Sequence, residues 1–341
     1  MTEKLLLRLS GEHVSLPALE AQRLFSSIDP TSRLEKLGES LAMVTTSLNA
    51  VKAERACRRL ALTREASRII STGAGVAEPA NPILEEVRER SFLLRARNLG
   101  PSGSKAERLL GERICQQARL RGVNTTVSVS RPNVVILLTL VGDGQILSVL
   151  LRKHKRSAYT RKARGKPFRH PVAIDPVIAR VMVNLAGVLA GESVLDPFCG
   201  TGSILVEAGI VGARIFGVDY DPNMIRGARE NLTKLQPRTP LLVRGNALRS
   251  PAVFNGSFDH IVTDPPYGRS SPMMMDAGTL LSRFPSIVHD LLSRNGTVCF
   301  ASPSTVDLSD DLSKAGLDLE AFVYQRVHGG LGRHLYVARK R

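Results

Sequence analysis

The segment Asp196-Pro-Phe-Cys-Gly-Thr-Gly-Ser203 leaves this chain few ways to fold. An apolar strand around Val194 and Leu195 runs into a turn with glycines at 200 and 202, and a helix opens at about Thr201–Ser203. Glycine takes positive φ without strain and lets backbone approach a ligand closely. A strand that passes into a helix through such a turn is the first unit of an open α/β sheet, and cofactors dock there.

The flanking sequence alternates as such a sheet requires. Periodicity predicts a helix over 174–190 and strands at 193–198, 214–220, 241–245, 260–268 and 297–302. Helices from 201, over 222–235 and over 280–292 separate them. Residues 321–327, the turn HGGLG at 328–332 and residues 333–340 read as a hairpin at the edge of the sheet. The predicted fold class for this half is α/β, a Rossmann-like doubly wound sheet with a C-terminal hairpin. The first half reads as a small α+β region. Its predicted strands are 5–9, 41–48, 91–99, 125–130, 134–142 and 145–151, and its helices 16–27, 51–59 and 106–122. Loops are expected at 73–82 and 100–104.

Charge separates the two halves. The net charge is +16, yet residues 171–341 are almost neutral. Residues 152–170 carry nine Lys and Arg and no acid. A polyanion is the natural partner of such a stretch. Lys153, Lys155, Arg156, Arg161, Lys162 and Arg164 are the candidate phosphate contacts. A membrane surface fits less well, because little apolar content accompanies the charge. No apolar run reaches the length of a membrane span and no signal peptide opens the chain, so a cytoplasmic location is expected. The four cysteines form no Cys-x-x-Cys pair and have no His cluster nearby. Neither a metal site nor a disulfide framework is expected.

The glycine turn has two candidate cofactors. A dinucleotide fingerprint would need glycine at 205, where this chain has Leu205. Asp196, at the strand end, suits a cationic group such as the α-ammonium of S-adenosylmethionine better than a pyrophosphate. Asp219 ends the next strand, where a carboxylate can accept the hydroxyls of a ribose. Asn246 ends the third, within reach of an adenine amine. Asp219 and Asn246 could instead simply cap the helices that follow.

Asp264-Pro-Pro-Tyr-Gly268 closes the fourth strand. Two successive prolines stiffen the loop and remove two backbone donors, so it is rich in acceptors. An aromatic amine is a poor nucleophile because its lone pair is delocalised. Hydrogen bonds from its two N–H groups to the Asp264 carboxylate and the Pro265 carbonyl would orient it and strengthen its attack. A nearby acceptor can then take the proton released on transfer. Tyr267 could stack on a flipped base.

DPFCGTGS, GVDYDP and TDPPYG resemble the amino-methyltransferases that act on nucleic-acid bases. SFLLRARNL, AERLLGERI and VVILLTLVGDG resemble a THUMP domain, an RNA-binding module. LSGEHVSLPALEAQRLF and RGKPFRHPVAIDPVIARVMVNLA resemble the archaeal tRNA (guanine(10)-N2)-methyltransferases, so that the resemblance spans nearly the whole chain. It implies an N-terminal ferredoxin-like region over 1–50, a THUMP domain over 51–151, a basic linker over 152–170 and a methyltransferase domain over 171–341. It implies S-adenosylmethionine as cofactor with no metal, tRNA as partner, and N2-methyl- and N2,N2-dimethylguanosine as products. By resemblance, Asp196, Phe198, Gly200, Gly202, Asp219 and Asn246 hold the cofactor, and Asp264, Pro265 and Tyr267 the amine. Asn246 departs from the family, where an acid is common, and weaker cofactor binding is expected from it. A different guanine, an adenine 6-amine, a protein glutamine and an inactive RNA-binding subunit are the competing readings. The sequence leaves open the number of methyls added, the oligomeric state and a small activating protein partner.

Overall fold

The computed structural model describes residues 2–73, 81–153, 165, 167–171, 173–235, 240–249, 254, 257–266, 277–328 and 331–341. Lys155, Arg156, Arg161, Lys162, Arg164 and Tyr267 lie outside these residues. The contacts divide the chain into two units. One comprises residues 1–11, 31–58 and 63–154; the other comprises 12–30, 59–62 and 155–341.

The first unit is built on one eight-stranded sheet, β2-β3-β1-β4-β8-β7-β5-β6. Its strands are β1 (Glu3–Leu9), β2 (Arg33–Lys36), β3 (Leu41–Thr46), β4 (Thr63–Gly73), β5 (Arg90–Arg97), β6 (Thr125–Val127), β7 (Val134–Val141) and β8 (Gly144–Lys153). With helices α1 (Leu16–Ile28) and α2 (Ala50–Arg59), the chain runs βαββαβ through β4. The order β2-β3-β1-β4 follows from antiparallel pairing of β1 with both β3 and β4. The ferredoxin-like strand order is therefore complete only at residue 73. β2 and β4 carry too little regular alternation to be read from sequence. Helices α3 (Asn81–Val87) and α4 (Gly103–Leu120) also belong to this unit. Leu110, Ile114 and Ala118 bury one stripe of α4 at helical spacing.

By its contacts α1 falls in the second unit. Its Glu20 is fully buried and accepts from the N–H groups of Ala61 and Leu62, at 2.7 and 2.9 Å, and from Asn184 Nδ2 at 2.7 Å. Asn184 lies on α5 (Pro176–Leu185), which opens with the Asp175 side chain accepting from Val177 N–H at 2.8 Å. Predicted to reach residue 190, α5 ends at Leu185. Gly187 just beyond takes φ +78°, a conformation that terminates helices.

The remaining strands are β9 (Ser193–Asp196), β10 (Arg214–Asp219), β11 (Leu241–Arg244), β12 (Phe258–Thr263), β13 (Leu292–Pro303), β14 (Leu317–His328) and β15 (Leu331–Lys340). They form one sheet in the order β11-β10-β9-β12-β13-β15-β14. The first five are parallel, and β15 runs antiparallel between β13 and β14. Helices α6 (Ser203–Val211), α7 (Pro222–Leu235), α8 (Ala277–Leu291) and α9 (Ser309–Lys314) alternate with the strands.

Neighbouring residues on each strand bury themselves in opposite layers. Val194, Val262, Cys299 and Leu335 join one core, whereas Leu195, Ile261, Phe300 and Tyr336 join the other. A strand buried on both faces is the mark of a doubly wound sheet and explains why these strands read as continuous apolar runs. Among the described residues, no helix is long and apolar enough to cross a membrane.

Candidate active site

The chain leaves β9 in one direction to build β10 and β11, then returns to place β12 on the other side of β9. Ligands of open α/β sheets bind where the strand order reverses in this way, beyond the carboxyl ends of the strands. Three carboxylates mark that edge. Asp196 ends β9, Asp219 ends β10 and Asp264 directly follows β12.

Asp196 is 2% exposed. Its Oδ1 accepts from Thr263 Oγ1 at 2.6 Å and from Phe198 N–H at 3.1 Å. Burial pushes its carboxyl up to about 7, and the charges of Asp219 and Asp264 add to the rise. A carboxylate that is costly to ionise alone is stabilised by a cation placed beside it. The α-ammonium of S-adenosylmethionine supplies such a charge, so the donor set fits that cofactor.

The turn below Asp196 is built by its glycines. Gly200 and Gly202 have φ +49° and +79°, in the left-handed region. A Cβ at Gly202 would also come within 3.3 Å of the Ala228 side chain. Gly202 caps α6, so the turn and the first helical N–H groups face the same edge.

Asp219 holds this turn from the next strand. Its Oδ2 accepts from Gly200 N–H and its Oδ1 from Asp221 N–H, each at 2.9 Å. Burial raises its carboxyl above the ordinary range despite these bonds. A carboxylate offers about four lone-pair sites, so acceptor capacity for ribose hydroxyls remains. Phe198 lies in the turn with its ring 5.9 Å from that of Phe284. Asn246 follows β11, and its Oδ1 accepts from Leu248 N–H at 2.9 Å, capping the short turn Ala247–Arg249.

In the loop after β12, Pro265 is buried and Asp264 is partly buried. Arg333 Nη1 donates to Asp264 Oδ2 at 2.7 Å. Arg333 lies on β15, opposite Pro303 of β13 and Gln325 of β14. Its Nε donates to Gln325 Oε1. Sequence reasoning missed Arg333 and Gln325. The only signal was the hairpin itself, because placing β15 beside β13 brings Arg333 to the site end of the sheet.

Thr263, Asn231 and Phe168 were also missed. Thr263 joins the two halves of the site, donating to Asp196 and preceding Asp264. Asn231 on α7 is fully buried. It accepts from Phe168 N–H and donates to the carbonyls of Phe168 and Thr201, all at 3.0 Å. Residue 168, near the end of the basic segment, is thereby fastened to the cofactor turn. Lys153 is exposed at the end of β8 in the first unit.

A cavity at the opposite edge of the sheet, lined in part by Arg23, Glu192, Asp259 and His260, is the larger of the two described. It contains neither the glycine turn nor the three carboxylates, so size does not identify the site. Among the described residues, no group of three or more His, Cys, Asp or Glu could hold a metal ion.

The family described as UPF0020, RMKL-like, methyltransferase domain, matches residues 163–334. The tRNA (guanine(10)-N2)-dimethyltransferase of Methanothermobacter thermautotrophicus is 33% identical over 349 residues, covering 98% of each chain. The protein of the same description from Pyrococcus abyssi is 31% identical over 292 residues, 83% of this chain and 85% of that one. The crystal structure of TrmN from Thermus thermophilus has a TM-score of 0.53 at 23% identity, covering 99% of this chain and 100% of that one. That likeness concerns the fold.

Proposed function

Because this chain belongs to the family of the tRNA (guanine(10)-N2)-dimethyltransferases, we propose that it methylates the 2-amino group of guanosine 10 in tRNA, giving N2-methyl- and then N2,N2-dimethylguanosine. S-adenosylmethionine, when bound, supplies an electrophilic methyl group on its sulfonium. The observation that carries the reading is the placement of Asp264, after β12, beside Asp196, at the end of the neighbouring strand β9. A cation site and an amine-accepting loop thus share one edge.

The chain's own residues divide the work. Asp196 meets the ammonium with its buried carboxylate. Gly200 and Gly202 bring backbone close to the methionine part, with Phe198 beside them. Asp219 accepts from the ribose. Asn246 meets the adenine with the acceptor capacity its cap leaves. Asp264 accepts from one N–H of the guanine amine and the Pro265 carbonyl accepts from the other. Attack on that methyl, with the cofactor's thioether leaving, would make the guanine nitrogen cationic and its N–H groups acidic. Asp264 stabilises the developing cation and receives the proton. Tyr267 stacks on the base.

RNA docking falls to the basic segment, where Lys153, Lys155, Arg156, Arg161, Lys162 and Arg164 meet phosphates, and to a THUMP region in the first unit. Incubating the protein with tRNA transcripts and methyl-labelled S-adenosylmethionine tests the assignment. Nucleoside mass spectrometry should find the label as N2-methylated guanosine, and a transcript carrying adenosine at position 10 should take up none. Label in adenosine, or undiminished label in the substituted transcript, would overturn the base or the position.

A further inference from the structure

We propose that Arg333 is a positioning residue for methyl transfer, held by Gln325, and that it fixes the direction in which Asp264 meets the target amine. The inference rests on the tRNA methyltransferase reading above.

Arg333 is 9% exposed and Gln325 4%. Burying a guanidinium costs free energy unless it is paired and hydrogen-bonded. Here Nε is committed to Gln325 on the adjacent strand, and Nη1 reaches Asp264 Oδ2. The guanidinium is planar, so fixing Nε fixes the line along which Nη1 points. The carboxylate on that line has its plane and orientation set before the amine arrives. An Asp placed only by a loop with two prolines would have its backbone stiffened but its side chain still free to rotate about χ1 and χ2.

The pair has a second consequence at this edge. Asp264 is one of three carboxylates there, and its charge contributes to the raised protonation of Asp196. A cation held on Asp264 lessens that repulsion. It also competes with the cationic cofactor for Asp264, leaving Asp196 as the better anchor for the ammonium.

Two strands far from Asp264 in sequence thus supply the geometry of its side chain. If the pair only stitched the hairpin to the loop, its loss would lower stability without acting specifically through Asp264. Arg333→Ala, Gln325→Leu, Asp264→Ala and the Arg333→Ala/Asp264→Ala double variant separate the two roles. The readouts are single-turnover methylation at saturating tRNA and cofactor, calorimetric affinity for S-adenosylmethionine, filter binding of tRNA, and thermal melting.

Wild-type protein is assayed first. If it forms no N2-methylguanosine, the functional reading falls and this proposal falls with it. Given wild-type activity, Arg333→Ala should lower the single-turnover rate by about 100-fold, the cost of a small misplacement of a reacting group. Both affinities should stay within about threefold, since neither ligand loses its main contacts. Gln325→Leu, which keeps the guanidinium but frees it, should lose roughly tenfold. The double variant should be no slower than Asp264→Ala alone, because the two side chains act as one unit. Added guanidinium ion should restore part of the Arg333→Ala rate and none of the Asp264→Ala rate. Wild-type rates in both Arg333→Ala and Gln325→Leu would overturn the proposal. So would rate losses that multiply in the double variant. Should Arg333→Ala fail to fold, Gln325→Leu decides by the same rate and affinity criteria.

Discussion

The proposed cofactor half and the proposed amine half of this site lie on neighbouring strands, yet they are held in different ways. In the cofactor half, side-chain carboxylates grip backbone N–H groups. Asp196 takes Phe198 N–H, and Asp219 takes those of Gly200 and Asp221. In the amine half, Asp264 is held by a side chain 69 residues further along, itself held by another side chain. In the proposed function, backbone gripped by carboxylates makes a rigid cradle that serves binding, and a carboxylate aimed by a guanidinium serves the orientation of a reacting atom. The two halves should therefore fail separately, one in affinity and the other in rate.

The largest separation is expected at Asp264. Asp264→Ala removes the acceptor and should lower single-turnover methylation by roughly 10²–10⁴-fold, the usual worth of a positioned proton acceptor. Affinity for tRNA should hardly change, because phosphate contacts dominate it. Radiolabelled cofactor for the rate and filter binding for the affinity give both numbers on one preparation. Near wild-type turnover would mean that the amine is held elsewhere, and the division into halves would be lost.

That contrast also explains what could be read from sequence. The cofactor half was legible because its parts are local. DPFCGTGS contains the strand end, both glycines and the residue whose N–H binds Asp196, and Asp219 closes the very next strand. The alternation of strands and helices in the same half of the chain made its doubly wound sheet legible as well. Arg333 was not legible, because its role depends on β15 inserting antiparallel between β13 and β14, and single-strand alternation carries no such information. Asn231 reads in sequence as one more polar residue on an amphipathic helix. In the first unit β2 and β4 were missed, since they are recognised by their pairing with β3 and β1 and not by alternation. For Asn246 the strand-end position offered two roles, adenine contact and cap, and the cap is present, with Leu248 N–H donating to Asn246 Oδ1.

Next in size is the effect expected at Asp196, where the cofactor half carries a cost in the ligand-free protein. Its carboxyl is raised by burial to about 7, above its value in an unfolded chain. The folded state therefore binds this proton more tightly than the unfolded state does. The group's contribution favours folding at low pH and is lost as pH rises from the unfolded value through about 7. Asp196→Asn keeps an Oδ1 that can accept from Phe198 and Thr263, so it should melt at a higher temperature than wild type at pH 8 without ligand. It should also bind S-adenosylmethionine less tightly by about 2–5 kcal/mol, the loss typical of a buried charge pair. Wild-type affinity should itself weaken as pH falls below about 7, and the variant's should not. Melting curves and calorimetry across pH measure both effects. A variant that melts lower at pH 8 and binds normally would show that the carboxylate is neither strained nor the ammonium's partner.

The smallest effect tests whether the cofactor half extends outward to the basic segment. Asn231 takes Phe168 N–H and gives its own N–H groups to the carbonyls of Phe168 and Thr201. The Phe168 ring fills the space over Gly227, where a Cβ would lie 2.4 Å from a ring carbon. Asn231 thus holds three backbone groups, two of Phe168 and one of Thr201 in the cofactor turn, and none in the amine loop. Asn231→Ala leaves those backbone groups without this partner, at a cost of about 1–3 kcal/mol in stability if they stay buried. Only the Thr201 contact touches the cofactor turn, so affinity for S-adenosylmethionine should fall by about 1 kcal/mol, the net worth of a typical hydrogen bond. At saturating cofactor the single-turnover rate should match wild type, because Asp264 and Arg333 are untouched. Calorimetry and single-turnover assays on the folded variant decide. A rate that drops while affinity holds would place Asn231 with the amine half, and the cofactor turn would then owe its shape to Asp219 and its own glycines alone.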